Sequence, residues 1–301
     1  MQSRLAQDQC SLSFRLVFVM LVQTMARNII AHSSIFFCFL VVAIAGFAQS
    51  SGKAKLGANL SVVEAGRWTA VQRGIEFRKM ALERSEPAST IDLKLLRLDP
   101  KTVVPRVLTA SQFQLKAASA KTFAEKSGAV AAVNANYFDE NGRPLAYLKS
   151  IEKEINRSVS KHALYTGIFG MSDATPFVVH RDDFQPGQST EALQTGPLLL
   201  NRGAPVEVLS GVGRYARRSV IGMDKESRVI VAVADAVIGG LSFGELQELF
   251  RNGMWQVNAV DLLNLDGGGS AQLYVKAGKF EEWLPGTAEV PVAIGFFLKT
   301  N

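Results

Sequence analysis

Apolar and polar positions along the second half of the chain predict a succession of short strands. Residues 91–98 alternate apolar and charged side chains before Asp99 and Pro100, as expected for a strand whose side chains point in turn to its two faces. Further strands are predicted at residues 129–133, 164–171, 176–180, 197–200, 219–223, 228–234, 262–265, 271–276 and 290–298. Short polar turns at 172–175 and 224–227 join four of these strands into two hairpins.

Two segments carry helix boundaries. Residues 119–126 are followed by Gly128, and residues 242–251 begin with a Ser-x-x-Glu pattern and end near Gly253. Many strands with two clear helices predict an α+β fold, with a mostly antiparallel mixed sheet, a few flanking helices and a single domain. That domain is assigned to residues 90–301, and residues 49–89 are predicted to be a linker and N-terminal segment.

The N-terminus has the pattern of a targeting segment. An apolar run at 35–45 follows Arg27 and precedes Gly46-Phe47-Ala48, a small-x-small cleavage motif. The prediction is a signal peptide over residues 1–48, with Met25 as an alternative start and a periplasmic or extracellular mature protein. The competing interpretation is an uncleaved anchor over residues 29–48, which would be the protein's membrane contact.

Composition narrows the classes of protein and partner. The 301 residues are 48% hydrophobic and 20% charged, as in globular domains, and both cysteines lie in the first 40 positions. A disulfide scaffold and a cysteine-ligated zinc site are therefore excluded. The net charge of +6, without a Lys/Arg run, predicts no nucleic-acid partner. His162 and His180 stand alone, so no cofactor is required, although clustered carboxylates are compatible with a divalent cation.

Residues 240–244 match Gly-x-Ser-x-Gly, the pattern of a serine-hydrolase nucleophile elbow. In α/β-hydrolases the catalytic histidine follows the serine, whereas His162 and His180 precede Ser242. Ser242 and Glu245 also fit a helix capping box, which is the favoured interpretation.

The strongest local signal is an acid followed by three glycines and a serine, at Asp266, Gly267, Gly268, Gly269 and Ser270. The glycines allow a tight turn whose N–H groups converge, as an anion-binding nest requires, and a carboxylate at a strand end is a candidate catalytic group. Asp235 also ends an apolar strand, where a site acid and a plain Asx-turn are both compatible with the pattern.

Two more groups of polar residues are candidates for substrate contacts. Arg214, Arg217 and Arg218 precede a strand, and a guanidinium fork suits phosphate oxygens, although basic clusters are commonly solvated surface. After the strand at 129–133, the polar and aromatic side chains of residues 134–139 are suited to sugar hydroxyls and pyranose faces, or equally to a turn. These residues are Asn134, Asn136, Tyr137, Phe138 and Asp139.

Taken together, the motifs resemble the phosphodiester glycosidase family. The matching stretches are 133–139, 194–199, 217–222, 231–235 and 264–270, and the resemblance covers roughly residues 90–298. Departures occur at Asn136, where relatives commonly carry Gly, and at Ala236, where the eukaryotic enzymes have Gly-Arg.

The resemblance implies an exported hydrolase that cleaves a sugar-1-phosphodiester of a glycan or cell-surface polysaccharide. It assigns Asp266 and Asp235 as the acidic pair and Arg218 and Ser219 to the phosphate. The other implied substrate-binding residues are Asn134, Asn136, Asp139, Thr195, Gly196, Gly267, Gly268, Gly269 and Ser270. The alternative is a non-catalytic polysaccharide-binding or exopolysaccharide-assembly protein on the same fold.

Overall fold

The computed structural model describes residues 54–56, 59–207 and 215–299. The first strands are β1 (Ala54–Lys55), β2 (Leu60–Glu64), β3 (Thr69–Gln72), β4 (Ile75–Ser85), β5 (Ala88–Leu98) and β6 (Val103–Thr109). The middle strands are β7 (Ala131–Asn134), β8 (Leu148–Ser150), β9 (Lys153–Asn156), β10 (Gly167–Ser172), β11 (Thr175–His180), β12 (Glu191–Thr195), β13 (Leu198–Asn201) and β14 (Ala204–Pro205). The last are β15 (Arg218–Asp224), β16 (Val229–Asp235), β17 (Ala259–Asn264), β18 (Leu273–Ala277), β19 (Phe280–Leu284) and β20 (Val292–Leu298).

Helical structure in these ranges is sparse. The α-helices are α1 (Ala120–Ser127) and α2 (Phe243–Arg251), and short 3₁₀ turns cover Ala110–Phe113, Arg181–Asp183, Pro186–Gln188, Gly253–Trp255 and Gly268–Ser270. Ser119 caps α1 by accepting the Thr122 N–H at 3.1 Å, and Gly128 ends it at φ +76°. None of the helices in the described ranges has the length and apolar character needed to cross a membrane.

The strands form three sheets. The largest runs β1-β2-β4-β5-β16-β15-β17-β13-β14, with β3 paired to β4; the other two run β11-β10-β12-β8-β9 and β19-β18-β7-β20-β6. Every strand pairing in the described part of the chain is antiparallel. The expected mostly antiparallel architecture is confirmed, but the mixed sheet and balanced α+β class are wrong, because the molecule is predominantly β.

Residues 49–89, treated above as a linker and N-terminal segment, contain β1 to β4 and the start of β5. Strand β4 pairs with β5 from Ile75↔Leu98 to Ser85↔Ala88, and β5 pairs with β16. The alternating burial along β4 shows a half-covered strand whose long polar side chains, such as Arg78 and Arg84, reach buried partners. These additional strands are one reason why the fold is predominantly β.

The large sheet is covered on both faces at its centre. One face packs against the two smaller sheets through residues such as Val231, Leu263 and Ile294. The opposite face packs against α2 through Leu95, Ala232 and other apolar side chains. A strand buried on both faces needs no polar alternation, which explains the continuous apolar sequence of β16. Helix α1 covers the outer face of the third sheet.

The predicted elements from residue 91 onward correspond to strands or helices within a few residues. The signal peptide, its cleavage after Ala48, the anchor alternative, both cysteines and Arg214 lie outside the described residues.

Candidate functional site

Three segments meet at one edge of the molecule: the end of β7, the start of β15 and the end of β17. The Asp266 N–H donates to the Ala135 carbonyl at 2.9 Å, and the Gly268 N–H donates to the Arg217 carbonyl at 2.9 Å. The loop after β17 is therefore fixed by backbone hydrogen bonds to both neighbouring segments. This junction brings the 134–139, 217–219 and 264–270 motifs together.

Asn134 holds the junction from inside the protein. Its Oδ1 accepts from the Ser219 hydroxyl at 2.7 Å and from the Gln272 N–H at 3.2 Å, and its Nδ2 donates to the Asp266 carbonyl at 2.6 Å. Asn134 and Ser219 are fully buried. Both side chains are already engaged with each other, so the structure gives them a positioning role rather than the expected direct contacts with substrate and phosphate.

Asp266 is half-buried at the end of this junction. Its Oδ1 accepts the Gly267 N–H at 2.8 Å, and the Ser270 hydroxyl donates a second hydrogen bond to the carboxylate. Burial raises the pKa of Asp266, while these two hydrogen bonds act against the rise. The result is a partly desolvated carboxylate with a fixed orientation.

The three glycines do not form the expected anion nest. The Gly267 N–H donates to Asp266 and the Gly268 N–H to Arg217, so two of the three donors are engaged within the protein. Glycine is instead needed at two of these positions for steric and conformational reasons. A Cβ on Gly267 would stand 2.8 Å from the Arg217 carbonyl oxygen, and Gly268 adopts φ +58°.

A second network lies beside Asp266. The Tyr137 hydroxyl donates to the Gly196 carbonyl at 3.0 Å, and the Asn264 Nδ2 donates to the Tyr137 oxygen at 3.0 Å and to Gly196 at 2.9 Å. The Thr195 hydroxyl donates to the Asn264 carbonyl at 3.2 Å. Thr195 and Gly196 thus support Tyr137 from behind. Burial, and next the charge of Asp266, raise the pKa of Tyr137 well above its ordinary value, so its hydroxyl stays protonated.

Arg218 completes the cluster. Its Nε donates to the Leu241 carbonyl at 3.0 Å, its guanidinium lies 4.1 Å from the centre of the Phe243 ring, and only 8% of the residue is exposed. Burial lowers the pKa of Arg218, and its charge lowers the pKa of Tyr137. The charges of Asp266 and Arg218 both act on Tyr137, and backbone hydrogen bonds join the 217–219 and 264–270 segments, so these three groups are the candidate site.

Asp235 belongs to a different environment. It forms an ion pair with Arg217, whose Nε lies 3.3 Å from the carboxylate, and 45% of the Asp235 side chain is exposed. The β15–β16 register sets Arg218 opposite Ala234, and its continuation sets Arg217 opposite Asp235. Because successive residues of a strand face opposite sides, the Arg217–Asp235 pair and Arg218 point to opposite faces. Among the described residues, the Asp235 carboxylate pairs with Arg217, whereas the Asp266 carboxylate accepts from Gly267 and Ser270. The two acids of the expected pair therefore have different partners.

The Arg217 side chain is also held by hydrogen bonds to backbone carbonyls. Its Nη2 donates to the carbonyls of Ala271 at 3.0 Å and Pro285 at 2.7 Å. The arginine cluster was expected either to bind phosphate or to be solvated surface. Arg217 instead connects β15 to the segments before β18 and after β19, while Arg218 points to the opposite face.

The remaining predicted contacts divide into two kinds. Asp139 accepts the N–H groups of Asn141 at 2.9 Å and Arg143 at 2.8 Å, which is the turn chemistry left open above. Asn136 is buried, and its Nδ2 donates to the Tyr137 carbonyl at 3.0 Å. Its Oδ1 accepts no hydrogen bond from the described residues. Asp139 is therefore placed in a turn, and Asn136 next to Tyr137.

The helix-cap interpretation of Ser242 is confirmed. The Glu245 N–H donates to the Ser242 hydroxyl at 3.3 Å, and the Ser242 N–H donates to the Glu245 carboxylate at 2.9 Å. Arg84 binds both oxygens of the same carboxylate, at 2.7 and 2.8 Å. His162 and His180 each accept the N–H two residues ahead, and the described residues contain no group of three His, Cys, Asp or Glu arranged to hold a metal.

The fold and this junction define a class: a predominantly antiparallel β protein with a desolvated carboxylate, a buried guanidinium and a tyrosine at the ends of its central strands. The family model for phosphodiester glycosidases matches residues 127–298, which is more than half of the chain and contains the whole junction. The protein therefore belongs to the phosphodiester glycosidase family.

Solved structures with a similar fold come from distant organisms. A hypothetical protein from Synechocystis has a TM-score of 0.60 and 17% identity, over 78% of this chain and 64% of its own. The catalytic domain of zebrafish N-acetylglucosamine-1-phosphodiester alpha-N-acetylglucosaminidase, auto-inhibited by its pro-peptide, has a TM-score of 0.59 and 15% identity. That match covers 80% of this chain and 89% of the zebrafish domain, and at such identities both likenesses show the fold alone. No curated protein sequence gives a significant match.

The sequence analysis missed several members of the site. Tyr165 lies against Tyr137, with ring centroids 5.4 Å apart, and the Asp266 charge adds to the rise that burial causes in the pKa of Tyr165. Asn264 was part of a matched motif but had no assigned role. A tyrosine in an irregular loop carries no periodic signal, so only the contacts reveal Tyr165.

Proposed function

We propose that the protein hydrolyses a sugar-1-phosphodiester at the bond between sugar C1 and the phosphate oxygen. The observation that carries this proposal is the Asp266 carboxylate, oriented by Gly267 and Ser270 and grouped with Arg218 and Tyr137 inside the matched family region. This arrangement offers an anion for a developing positive charge at C1 and a cation for the phosphodiester.

The reaction follows from the leaving group. The C1–O bond breaks with its electron pair going to the phosphate oxygen, and C1 acquires oxocarbenium character. Asp266 stabilises or attacks this centre, or activates the water that adds to it. The water oxygen ends on the sugar and its proton is released to solvent, leaving a phosphomonoester. A phosphate leaves readily, so no second carboxylate is needed as a strong acid.

Arg218 is suited to hold the diester anion. A guanidinium held in a buried position by Leu241 and Phe243 attracts a phosphate more strongly than one in bulk water would, because the local dielectric is low. Its planar fork can present two donors to two phosphate oxygens. Asn134 and Ser219 support this geometry from the interior.

The proposed substrate is a glycan or cell-surface polysaccharide outside the cytoplasm. Support comes from the N-terminal pattern, whose apolar run and Gly46-Phe47-Ala48 motif predict export. N-terminal sequencing of the exported protein should find Gln49 at or near the first position. Recovery of residues 30–48 in a membrane fraction would show an anchor instead.

Hydrolysis in oxygen-18 water tests the function directly. The substrates are methyl phosphodiesters of glucose 1-phosphate and N-acetylglucosamine 1-phosphate, and the products are followed by mass spectrometry. The proposal requires free sugar carrying the label, methyl phosphate without it, and loss of both in Asp266→Asn. Label in the phosphate would show a phosphodiesterase acting at phosphorus. Saturable binding without turnover would favour the non-catalytic binding protein.

A further inference from the structure

The loop between β9 and β10 lacks regular structure but is held firmly by one buried side chain. Gln194 is 1% exposed, and its Nε2 donates to the carbonyls of Ser160 and Tyr165, both at 2.7 Å. Its Oε1 accepts the Ser160 N–H at 2.7 Å. A single amide thus fixes both ends of the segment 160–165.

Two further contacts constrain the same loop. Arg181 Nη1 donates to the His162 carbonyl at 2.5 Å and to the Tyr165 carbonyl at 3.4 Å. The loop also packs tightly on Gly196, where a Cβ would stand 2.2 Å from the Leu164 carbonyl oxygen. An irregular segment with three separate restraints has one conformation, and the side chains that it carries are pre-positioned.

The loop carries a row of rings that leads away from the site. The centre of the Tyr165 ring is 5.4 Å from that of Tyr137 and 5.0 Å from that of His162. Tyr165 is half-buried and His162 is exposed. Neither ring belongs to the hydrophobic clusters of the described residues, so core packing does not account for them.

The inner end of this row lies at the reacting groups. The Asp266 charge acts on both Tyr137 and Tyr165, so the Tyr165 hydroxyl is within electrostatic reach of the carboxylate. Tyr137 cannot present its hydroxyl to a ligand without losing its bonds to Gly196 and Asn264. Tyr165, continued by the exposed His162, therefore offers an aromatic surface next to Tyr137 whose polar atoms are not needed to hold the junction together.

We propose that Tyr165 and His162 form the surface on which the sugar ring of the substrate stacks, so that C1 is presented to Asp266. The inference rests on the proposed function and adds to it the residues that bind the sugar. A pyranose has an apolar face of C–H groups that packs on an aromatic ring, while its hydroxyls remain free for polar contacts. The contact with the pyranose face, which the sequence predicts for Tyr137 and Phe138, is thus assigned to Tyr165 and His162 of the restrained loop.

Binding of glucose 1-phosphate, N-acetylglucosamine 1-phosphate and inorganic phosphate, measured by calorimetry, tests the inference. Tyr165→Ala should raise the Kd of the sugar phosphates about tenfold, as expected for loss of one aromatic contact, and leave that of inorganic phosphate unchanged. Tyr165→Phe keeps the ring and should bind the sugar phosphates within about threefold of the unaltered protein. Thermal unfolding of each variant controls for a disturbed loop.

The two histidines supply a matched pair. His162 accepts the Leu164 N–H at 3.2 Å and His180 accepts the Asp182 N–H at 3.3 Å, so each closes a similar turn, but His162 also packs on Tyr165. His162→Ala should weaken sugar-phosphate binding about threefold. His180→Ala should leave binding unchanged.

The outcomes separate the inference from the function. If Tyr165→Ala binds the sugar phosphates as the unaltered protein does, or weakens inorganic phosphate equally, the stacking surface is wrong while hydrolysis can still stand. If stacking is found but the oxygen-18 assay shows no turnover, the function is wrong and sugar binding stands. If no sugar phosphate binds, the stacking surface is wrong, and if the oxygen-18 assay also shows no turnover, both proposals are overturned.

Discussion

The ends of β16 and β17 look alike in sequence and differ in chemistry. β16 ends at Asp235, with glycines at 239 and 240, and β17 ends two residues before Asp266, which glycines follow directly. Asp235 has 45% of its side chain exposed and is paired with Arg217 at 3.3 Å. Asp266 is half-buried, receives hydrogen bonds from Gly267 and Ser270, and lies beside Tyr137.

The difference shows that a strand-end acid is not sufficient for a site. The partly exposed Asp235 carboxylate is screened by water and paired with Arg217, so it interacts weakly with other charges. A desolvated carboxylate with a fixed orientation interacts strongly with a charge that develops close to it. The neighbours of the acid decide its function, and Asp266 has the neighbours that the proposed reaction at C1 requires.

Neutralising Asp266 and Asp235 in turn is the most direct test of the difference between the two acids. Asp266→Asn keeps the side-chain shape but removes the charge, so the rate of diester hydrolysis should fall by about 10²–10⁴-fold. Asp235→Asn should stay within about tenfold of the unaltered rate and lose about 1 kcal/mol of stability or less. Steady-state kinetics and urea unfolding measure the two effects. Equal losses of rate would restore Asp235 as the second acid.

Arg218 and Arg217 differ in the same way as Asp266 and Asp235, and substitution of each arginine by lysine tests the difference. Arg218→Lys should lower kcat/KM for phosphodiesters by about 10- to 100-fold, because a lysine cannot reproduce the bidentate fork. Inorganic phosphate should compete with the substrate in the unaltered protein and much less in this variant.

Arg217→Lys serves as the control for Arg218→Lys. Arg217 points to the opposite face of β15 from Arg218, so the substitution should leave kcat/KM largely unchanged. Because Arg217 bonds to Ala271 and Pro285 and pairs with Asp235, the same substitution should lower the Tm. Loss of phosphate competition in Arg217→Lys, with Arg218→Lys unaffected, would reverse the assignment of the two residues.

The raised pKa of Asp266 gives a dependence of stability on pH. A carboxyl whose pKa is higher in the folded than in the unfolded protein stabilises the fold fully below the unfolded value of about 3.9, and this contribution is lost as pH rises through the folded pKa. The Tm of the unaltered protein relative to Asp266→Asn should therefore fall between about pH 4 and neutrality. A difference that is constant with pH, or grows as pH rises, would contradict a desolvated Asp266.

The smallest expected effect concerns Ser242 in the Gly-x-Ser-x-Gly motif at residues 240–244. Ser242→Ala removes a helix cap and should cost about 0.5–2 kcal/mol of stability with normal turnover. Urea unfolding and the hydrolysis assay measure this pair of outcomes. Labelling of Ser242 by a fluorophosphonate reagent with loss of activity would instead support the serine-esterase alternative.

Local signals were sufficient for most elements after residue 90. The cap at Ser119, the glycine stop at Gly128 and the turn at 224–227 depend on neighbours within a few positions, so the sequence contains their cause. The strands at 60–85 were missed because long polar side chains such as Arg78 and Arg84 obscure the apolar alternation. Their partners, Trp255 and Glu245, lie far along the chain.

The sequence by itself determined that the polar motifs stand at strand ends and that Asp266 is the strongest candidate acid. Only the tertiary structure decided which groups act together. It turned Asn134, Ser219 and two glycine N–H groups inward and placed the Asp235–Arg217 pair and Arg218 on opposite faces of the sheet. It also brought Tyr165, from an irregular loop, against Tyr137. The physical reason is that burial and orientation come from packing between segments distant in sequence, whereas residue type and spacing specify only what each segment can offer.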